Sequence, residues 1–287
     1  MRRHHLIPAV LALSLATVVS DAALAKQGTI EKIKSTGTIT LGVRQDARPF
    51  SFLDGDGKAQ GYTVSLCEAV VRQLKIQLEM PEITVKYALV NTEDRFERLA
   101  KGEIDMECAT STYTLSRLDD AEFSLLIYAT GSDLLVRAAD DIQGLPDLAE
   151  KKIGVLAGST TEQDLKNILG SSGLNATIEP VETYSDLLAS LETNEIDAAY
   201  GDRALLLEAR QRAIDRTKLE LIGAHYSYEP YALVLRHDDN DFRHAVDRAL
   251  ARIYRSAEAR AIYEASFGPL EDNPDMLALY GLLGLPD

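Results

Sequence analysis

Two phrases of the sequence repeat one another: Leu99–Ser111, LAKGEIDMECATS, and Leu191–Arg203, LETNEIDAAYGDR. In each, a helical stretch ends, an Ile-Asp pair opens a short strand, and polar residues gather at the strand's C-terminal end. In open α/β sheets ligands sit in the crevice outside those ends. Two copies therefore predict two comparable α/β units aiming polar groups at one shared cleft. The first phrase runs on into ECATSTYTLSR, Glu107–Arg117. Four hydroxyls, from Thr110, Ser111, Thr112 and Thr114, precede a lone Arg117, and that set suits an anion.

Outward from these phrases, short β-rich runs alternate with amphipathic stretches. Thr38–Val43, TITLGV, reads as a strand. Asp54-Gly55-Asp56-Gly57 marks a turn. Val64, Leu66, Cys67, Val70, Val71 and Leu74 keep helical spacing. A further strand, ITVKYALV, leads into a helix over TEDRFERLAKGE, with Thr92 expected as its N-cap. The second unit runs through strands DLLVRA, KKIGVLAG, ATIEPV and IDAAYG. Its helices are expected over STTEQDLKNILGSSG, YSDLLASLETNE and DRALLLEARQRA. LELIG and EPYALVLR follow as strands, then two helices over 239–254 and 257–267. The tail PLEDNPDMLALYGLLGLPD lacks a single period. Such βαβ alternation predicts a mostly parallel sheet with helices on its faces.

The 287 residues are 46% hydrophobic and 26% charged, enough to bury a substantial core. A formal net charge of -15 argues against nucleic acid and against an anionic membrane surface. At the N-terminus, MRRHH precedes the apolar LIPAVLALSLATVVS and a small-x-small Ala23–Ala25. That pattern predicts a signal peptide over 1–25, cleaved after Ala25, and hence an exported protein. The two cysteines, Cys67 and Cys108, are either joined, which export permits, or two small buried apolar residues. No ligand spacing for a metal is present.

The chain resembles the periplasmic solute-binding proteins of amino-acid ABC transporters, family 3, and within them the glutamate/aspartate-binding type. The resemblance lies in GVRQDARPFSFLDGDGKAQGYTVSLCEAV, NTEDRFERLAKGEIDMECATSTYTLSR, Phe123-Ser124, GVLAGSTTE, LETNEIDAAYGDRALL and YALVLRHDD. It implies a two-lobed α/β fold of the type II periplasmic-binding kind, with two hinge strands. Lobe one would hold 26–128 plus 231–287 and lobe two 132–227, with hinges near 129–131 and 228–230. It also implies a monomer without cofactor that is not an enzyme. This protein would capture an acidic amino acid by hinge closure and present it in the periplasm to a membrane permease.

Roles follow for particular residues. Arg117, with Thr110 and Thr112 hydroxyls donating alongside, would grip the α-carboxylate. Thr160, at a glycine turn opening a helix, would add backbone N–H groups to the same anion. Asp202 at a strand end would pair with the ammonium, unless it serves only as the N-cap of the next helix. Arg44 and Arg95 match arginines that hold the side-chain carboxylate in the acidic-ligand branch. Counted against Asp202 alone, three arginines leave a surplus of two positive charges. Tyr184 stands where some members have a histidine, and it can donate a hydrogen bond without carrying charge. Arg48 is an additional basic residue whose direction the sequence leaves open. Two alternatives stand beside this reading: an enzyme similar to cyclohexadienyl dehydratase, which needs an acid/base pair in the cleft, and a binding protein for another polar amino acid.

Overall fold

The computed structural model of the protein describes residues 28–286. The expected signal peptide and its cleavage site after Ala25 lie outside those residues. Strand β1 (Thr38–Val43) and strand β6 (Met106–Glu107) run parallel in one sheet; β9 (Lys152–Leu156) and β11 (Ala198–Asp202) run parallel in another. The repeated phrase is the device that docks each pair. A Cβ added to Gly42 of β1 would come within 2.6 Å of Ile104, and one added to Gly154 of β9 within 2.5 Å of Ile196. Each isoleucine thus fills a notch that only glycine leaves. Each following aspartate then clamps the neighbouring strand. Asp105 donates its N–H to Thr40 O at 2.8 Å and accepts Thr40 N–H on Oδ2 at 2.8 Å. Asp197 does the same with Lys152, at 2.8 Å in both directions.

The sheets have the same layout. The first runs β5 (Thr84–Leu89), β1, β6, β13 (Glu229–Arg236), β7 (Ala121–Thr130). The second runs β10 (Thr177–Val181), β9, β11, β8 (Ser132–Arg137), β12 (Leu219–Leu221). In each sheet four strands run one way and one, β13 or β8, runs against them, so two of the four ladders are antiparallel and the sheets are mixed where a mostly parallel sheet was expected. A minor hairpin sheet comprises β2 (Asp46–Ala47), β3 (Ser51–Leu53) and β4 (Ala59–Gln60). Helices α1 (Thr29–Thr36), α2 (Tyr62–Gln77), α3 (Arg95–Ala100), α7 (Asn240–Tyr254), α8 (Ala257–Phe267) and α9 (Pro274–Leu283) accompany the first sheet. Helices α4 (Thr160–Ser172), α5 (Tyr184–Glu192) and α6 (Arg203–Arg212) accompany the second.

Three of the longer elements escaped the sequence reading: helix α1, which lies before the first stretch assigned, strand β7 and helix α9. Strand β7, AEFSLLIYAT, lacks clean alternation because its ladder with β13 slips twice between Tyr231 and Val234. Helix α9 is apolar on nearly all sides, so no face stands out; Asn273 caps it through Met276 N–H at 3.1 Å, with Pro274 in its first turn.

The chain leaves the first sheet at the end of β7, enters the second at β8 after Gly131, and returns through β13. The two crossings are neighbours, since Glu229 pairs with Thr130 and Pro230 with Ala129. Beneath them lies an aromatic cluster. Phe50 meets Tyr128 edge-on at 4.9 Å and Tyr231 at 5.3 Å, while Tyr62 donates to Ile127 O at 2.6 Å. Burial of that many rings makes the base of the crossings rigid and aims Tyr231 toward the second sheet. Cys67 of α2 and Cys108, just past β6, are joined by a disulfide, which ties the hydroxyl-rich loop to the core. Among the described residues no helix is long and apolar enough to cross a membrane.

Candidate functional site

The C-terminal ends of β1, β6, β11 and the start of β13 meet between the sheets. Arg44 follows β1 and is 4% exposed; Arg95 opens α3 and is also 4% exposed. Arg117, half-buried, donates from Nη1 to Thr112 O at 2.8 Å, which folds the hydroxyl loop back under the guanidinium. Phe96 lies under both Arg95, at 4.9 Å, and Arg117, at 5.4 Å. The three arginines, distant in sequence, therefore gather around one point.

At that point sits Glu107, which the sequence reading passed over. It is 1% exposed and its Oε1 accepts from Ser111 at 3.0 Å. Burial raises its pKa, opposed by the charges of Arg95, Arg44 and Arg117. Burial likewise pulls Arg95 down to about 10, against Glu107 and with the repulsion of Arg117 and Arg44. Arg117 is lowered by burial and supported by Glu107, Glu229 and Asp202. No carboxylate among the described residues makes an ion pair or hydrogen bond with Arg95, whose Nε is buried without a partner. Among the described residues the carboxylate within ion-pair distance of Arg44 is Asp46, at 4.0 Å.

Asp202 ends β11 as the N-cap residue of α6, yet its side chain makes no capping bond. Instead Oδ2 accepts from Tyr231 OH at 2.5 Å, and Oδ1 is buried and unpartnered. Burial first, and then the nearby charge of Glu229, push its pKa up to about 7; Tyr231 and Arg117 oppose the rise. Glu229, also missed from sequence, is 2% exposed and accepts from Thr112, Thr160 and Ser227, each at 2.7 Å. Thr112 thus gives its proton to Glu229, where donation to a ligand carboxylate was expected. The signal for both glutamates was a charge set in an otherwise apolar strand, at ME and EPYALVLR.

Tyr184, the first residue of α5, is 5% exposed, and its pKa is raised by burial and by Asp202 while Arg44 opposes. Thr160 is the first residue of α4, whose N-cap is Ser159, accepting from Glu162 N–H at 3.0 Å. Thr110 is half-buried two residues before Thr112. Arg48 turns away to lie over Phe52 at 3.5 Å. Thr92, expected to cap α3, does not; Asp94 holds that position. Its hydroxyl reaches across the cleft to Ala157 O at 2.7 Å, beside the Ser185 N–H to Asp46 contact of 3.3 Å. Gly158 lies there at φ +67°, where a Cβ would crowd Glu93 at 3.3 Å. The cleft is shut along this rim.

The arrangement is polarised. Three guanidinium groups surround Glu107 at one end, Asp202 and Glu229 occupy the other, and Arg117 feels both. Glu107, Asp202 and Glu229, with Asp46 at 4.0 Å from Arg44, set four carboxylates against three arginines, which removes the surplus of two counted from Asp202 alone. An unpartnered guanidinium at one end and an unpartnered carboxylate oxygen at the other suit a dipolar molecule.

Residues 39–269 match the bacterial extracellular solute-binding proteins, family 3. The chain belongs to this family. It is 31% identical over 262 residues to a glutamate/aspartate import solute-binding protein of Escherichia coli, covering 90% of this chain and 87% of that one. An L-glutamate/L-aspartate-binding protein of Pseudomonas aeruginosa is 34% identical over 259 residues, 90% of this chain and 85% of its own. Among solved structures, an ancestral amino acid-binding protein, a precursor of cyclohexadienyl dehydratase, superimposes with a TM-score of 0.73. It is 23% identical and covers 83% of this chain and 98% of its own length, a likeness of fold.

Proposed function

We propose that this family member captures an acidic amino acid, glutamate or aspartate, in the cleft and hands it to the permease of an ABC transporter in the periplasm. The observation that carries the reading is Arg95: a buried guanidinium without a carboxylate partner, flanked by Arg44 and Arg117. A ligand carboxylate supplies the direct partner that Arg95 Nε lacks, a hydrogen bond to a charged group worth about 1.5–3 kcal/mol. Asp202, with its free Oδ1, takes the ammonium, and Arg117 with the N-terminus of α4 takes the α-carboxylate. Relatives of the glutamate/aspartate type, each matched over most of its length, support the same ligand class.

The chemistry is binding by closure. Lobe one, 26–128 with 231–287, receives the ligand through Arg117 and the hydroxyl loop. Lobe two, 132–227, then swings about 129–131 and 228–230, bringing Thr160 and Asp202 onto it and expelling water. A thermal-shift screen of the mature protein against the common amino acids tests the proposal. Glutamate or aspartate should raise the melting temperature and glutamine should not. Equal stabilisation by glutamine would move the reading to another polar amino acid, and turnover of prephenate or arogenate would replace it with an enzyme.

A further inference from the structure

We propose that Glu229 is a positioning residue that latches the two lobes and sets the polarity of the threonine hydroxyls facing the ligand. It is the first residue of β13, opposite Thr130 where the two crossings pair. One of its oxygens, Oε2, accepts from Thr112 on the loop after β6 and from Thr160 at the start of α4, both at 2.7 Å. The other, Oε1, accepts from Ser227 at 2.7 Å. The threonine oxygens lie 3.2 Å apart, one on each side of the cleft. A single buried carboxylate therefore clasps both halves and the return crossing. Rotation about the crossings parts Thr160 from Glu229 while Thr112, in the sheet that β13 joins, stays; Ser227 lies two residues from Glu229 at the edge of the return crossing. The Thr160–Glu229 bond that opening must break is accepted by a carboxylate, like the Tyr231–Asp202 bond beside it, and is stronger than one between neutral groups. By contrast, the rim bond from Thr92 ends on a neutral backbone carbonyl.

Polarity follows from proton count. A threonine hydroxyl has one proton and two lone pairs. With both protons given to Glu229, the hydroxyls of Thr112 and Thr160 offer only lone pairs, which suit an ammonium and leave the α-carboxylate to Arg117 and the backbone N–H groups of α4. This second part rests on the amino-acid reading of the cleft; the latch does not.

The test uses the mature full chain with Glu229→Gln, Thr160→Val and the double variant. The amide keeps the size of the side chain but cannot accept three hydroxyl protons. The latch holds part of the ligand-free population closed, so without ligand small-angle scattering should show a larger radius of gyration for Glu229→Gln than for wild type; superimposable profiles overturn the latch. Stopped-flow dissociation of glutamate should quicken roughly tenfold in either single variant, the effect of one charge-assisted bond, with association little changed. The double variant should be no faster than the faster single one, because both remove the same bond. Multiplicative effects overturn the proposal, as does a changed ratio of glutamate to aspartate affinity, which would make Glu229 a direct ligand contact. Failure of wild type to bind either acid sinks the functional reading alone, since the scattering arm still decides the latch.

Discussion

Replacing Asp202 with asparagine should destroy binding and, in the ligand-free protein, raise stability. The carboxyl is buried, with its pKa displaced from an ordinary 3.8 to about 7. A group whose folded pKa is raised binds protons more tightly when folded, so its ionised form weakens the fold. That cost is full above about 7 and fades as the pH falls toward 3.8. At pH 8 the displacement corresponds to roughly 4 kcal/mol, and at pH 5 to under about 2 kcal/mol. Asparagine carries no charge but buries an amide with incomplete hydrogen bonding, a loss of about 1–3 kcal/mol. The ligand-free variant should then melt about 5 °C above wild type at pH 8. By pH 5 the gap should close or reverse. Saturating glutamate should abolish it from the other side, because the ammonium meets the carboxylate in wild type only. The measurement is a calorimetric melt of both proteins from pH 5 to pH 8, with and without glutamate. A variant less stable than wild type at pH 8, with a gap independent of pH, would refute the claim that a buried uncompensated charge is stored at this position.

Other consequences can be checked by titration calorimetry. Arg117→Ala should abolish glutamate binding, since the α-carboxylate loses its fork; unchanged affinity would remove Arg117 from the site. Arg44→Ala should mainly relax selectivity, narrowing the preference for glutamate over glutamine, and a preserved preference would assign discrimination elsewhere. Arg95→Gln should weaken glutamate by roughly a hundredfold or more while costing glutamine less, as expected when a buried charge pair loses one member. Removing the Cys67–Cys108 bond as Cys67→Ala/Cys108→Ala frees a separation of 41 residues. Loop entropy puts the loss at about 4 kcal/mol, visible as a melting temperature lower by about 10 °C. A shift below about 2 °C would mean that packing around Cys108 holds the loop without the bond.

Much of this architecture was open to reading because local signals repeat. The paired Ile-Asp phrases marked two strands and the ends where ligands gather, and the structure adds why: Ile104 and Ile196 need Gly42 and Gly154, and Asp105 and Asp197 clamp the next strand. Such contacts join residues far apart, yet each leaves a short recognisable motif. The arginines were found individually for the same reason, as charges at strand ends or helix starts.

What the chain could not declare by itself was which charges share a space. Thr92 has the composition of a cap but spends its hydroxyl on Ala157 across the cleft. Asp202 stands at an N-cap and bonds Tyr231 instead. Glu107 and Glu229 look like incidental acids in strands, and only folding brings one among three guanidinium groups and the other between Thr112 and Thr160. Periodicity and capping are set by neighbours a few residues away, so sequence determines the strands, the helices and the doubled plan. Electrostatics acts through space and strengthens with burial, so the balance of the cleft, its polarity and the identity of its latch were decided by tertiary structure alone.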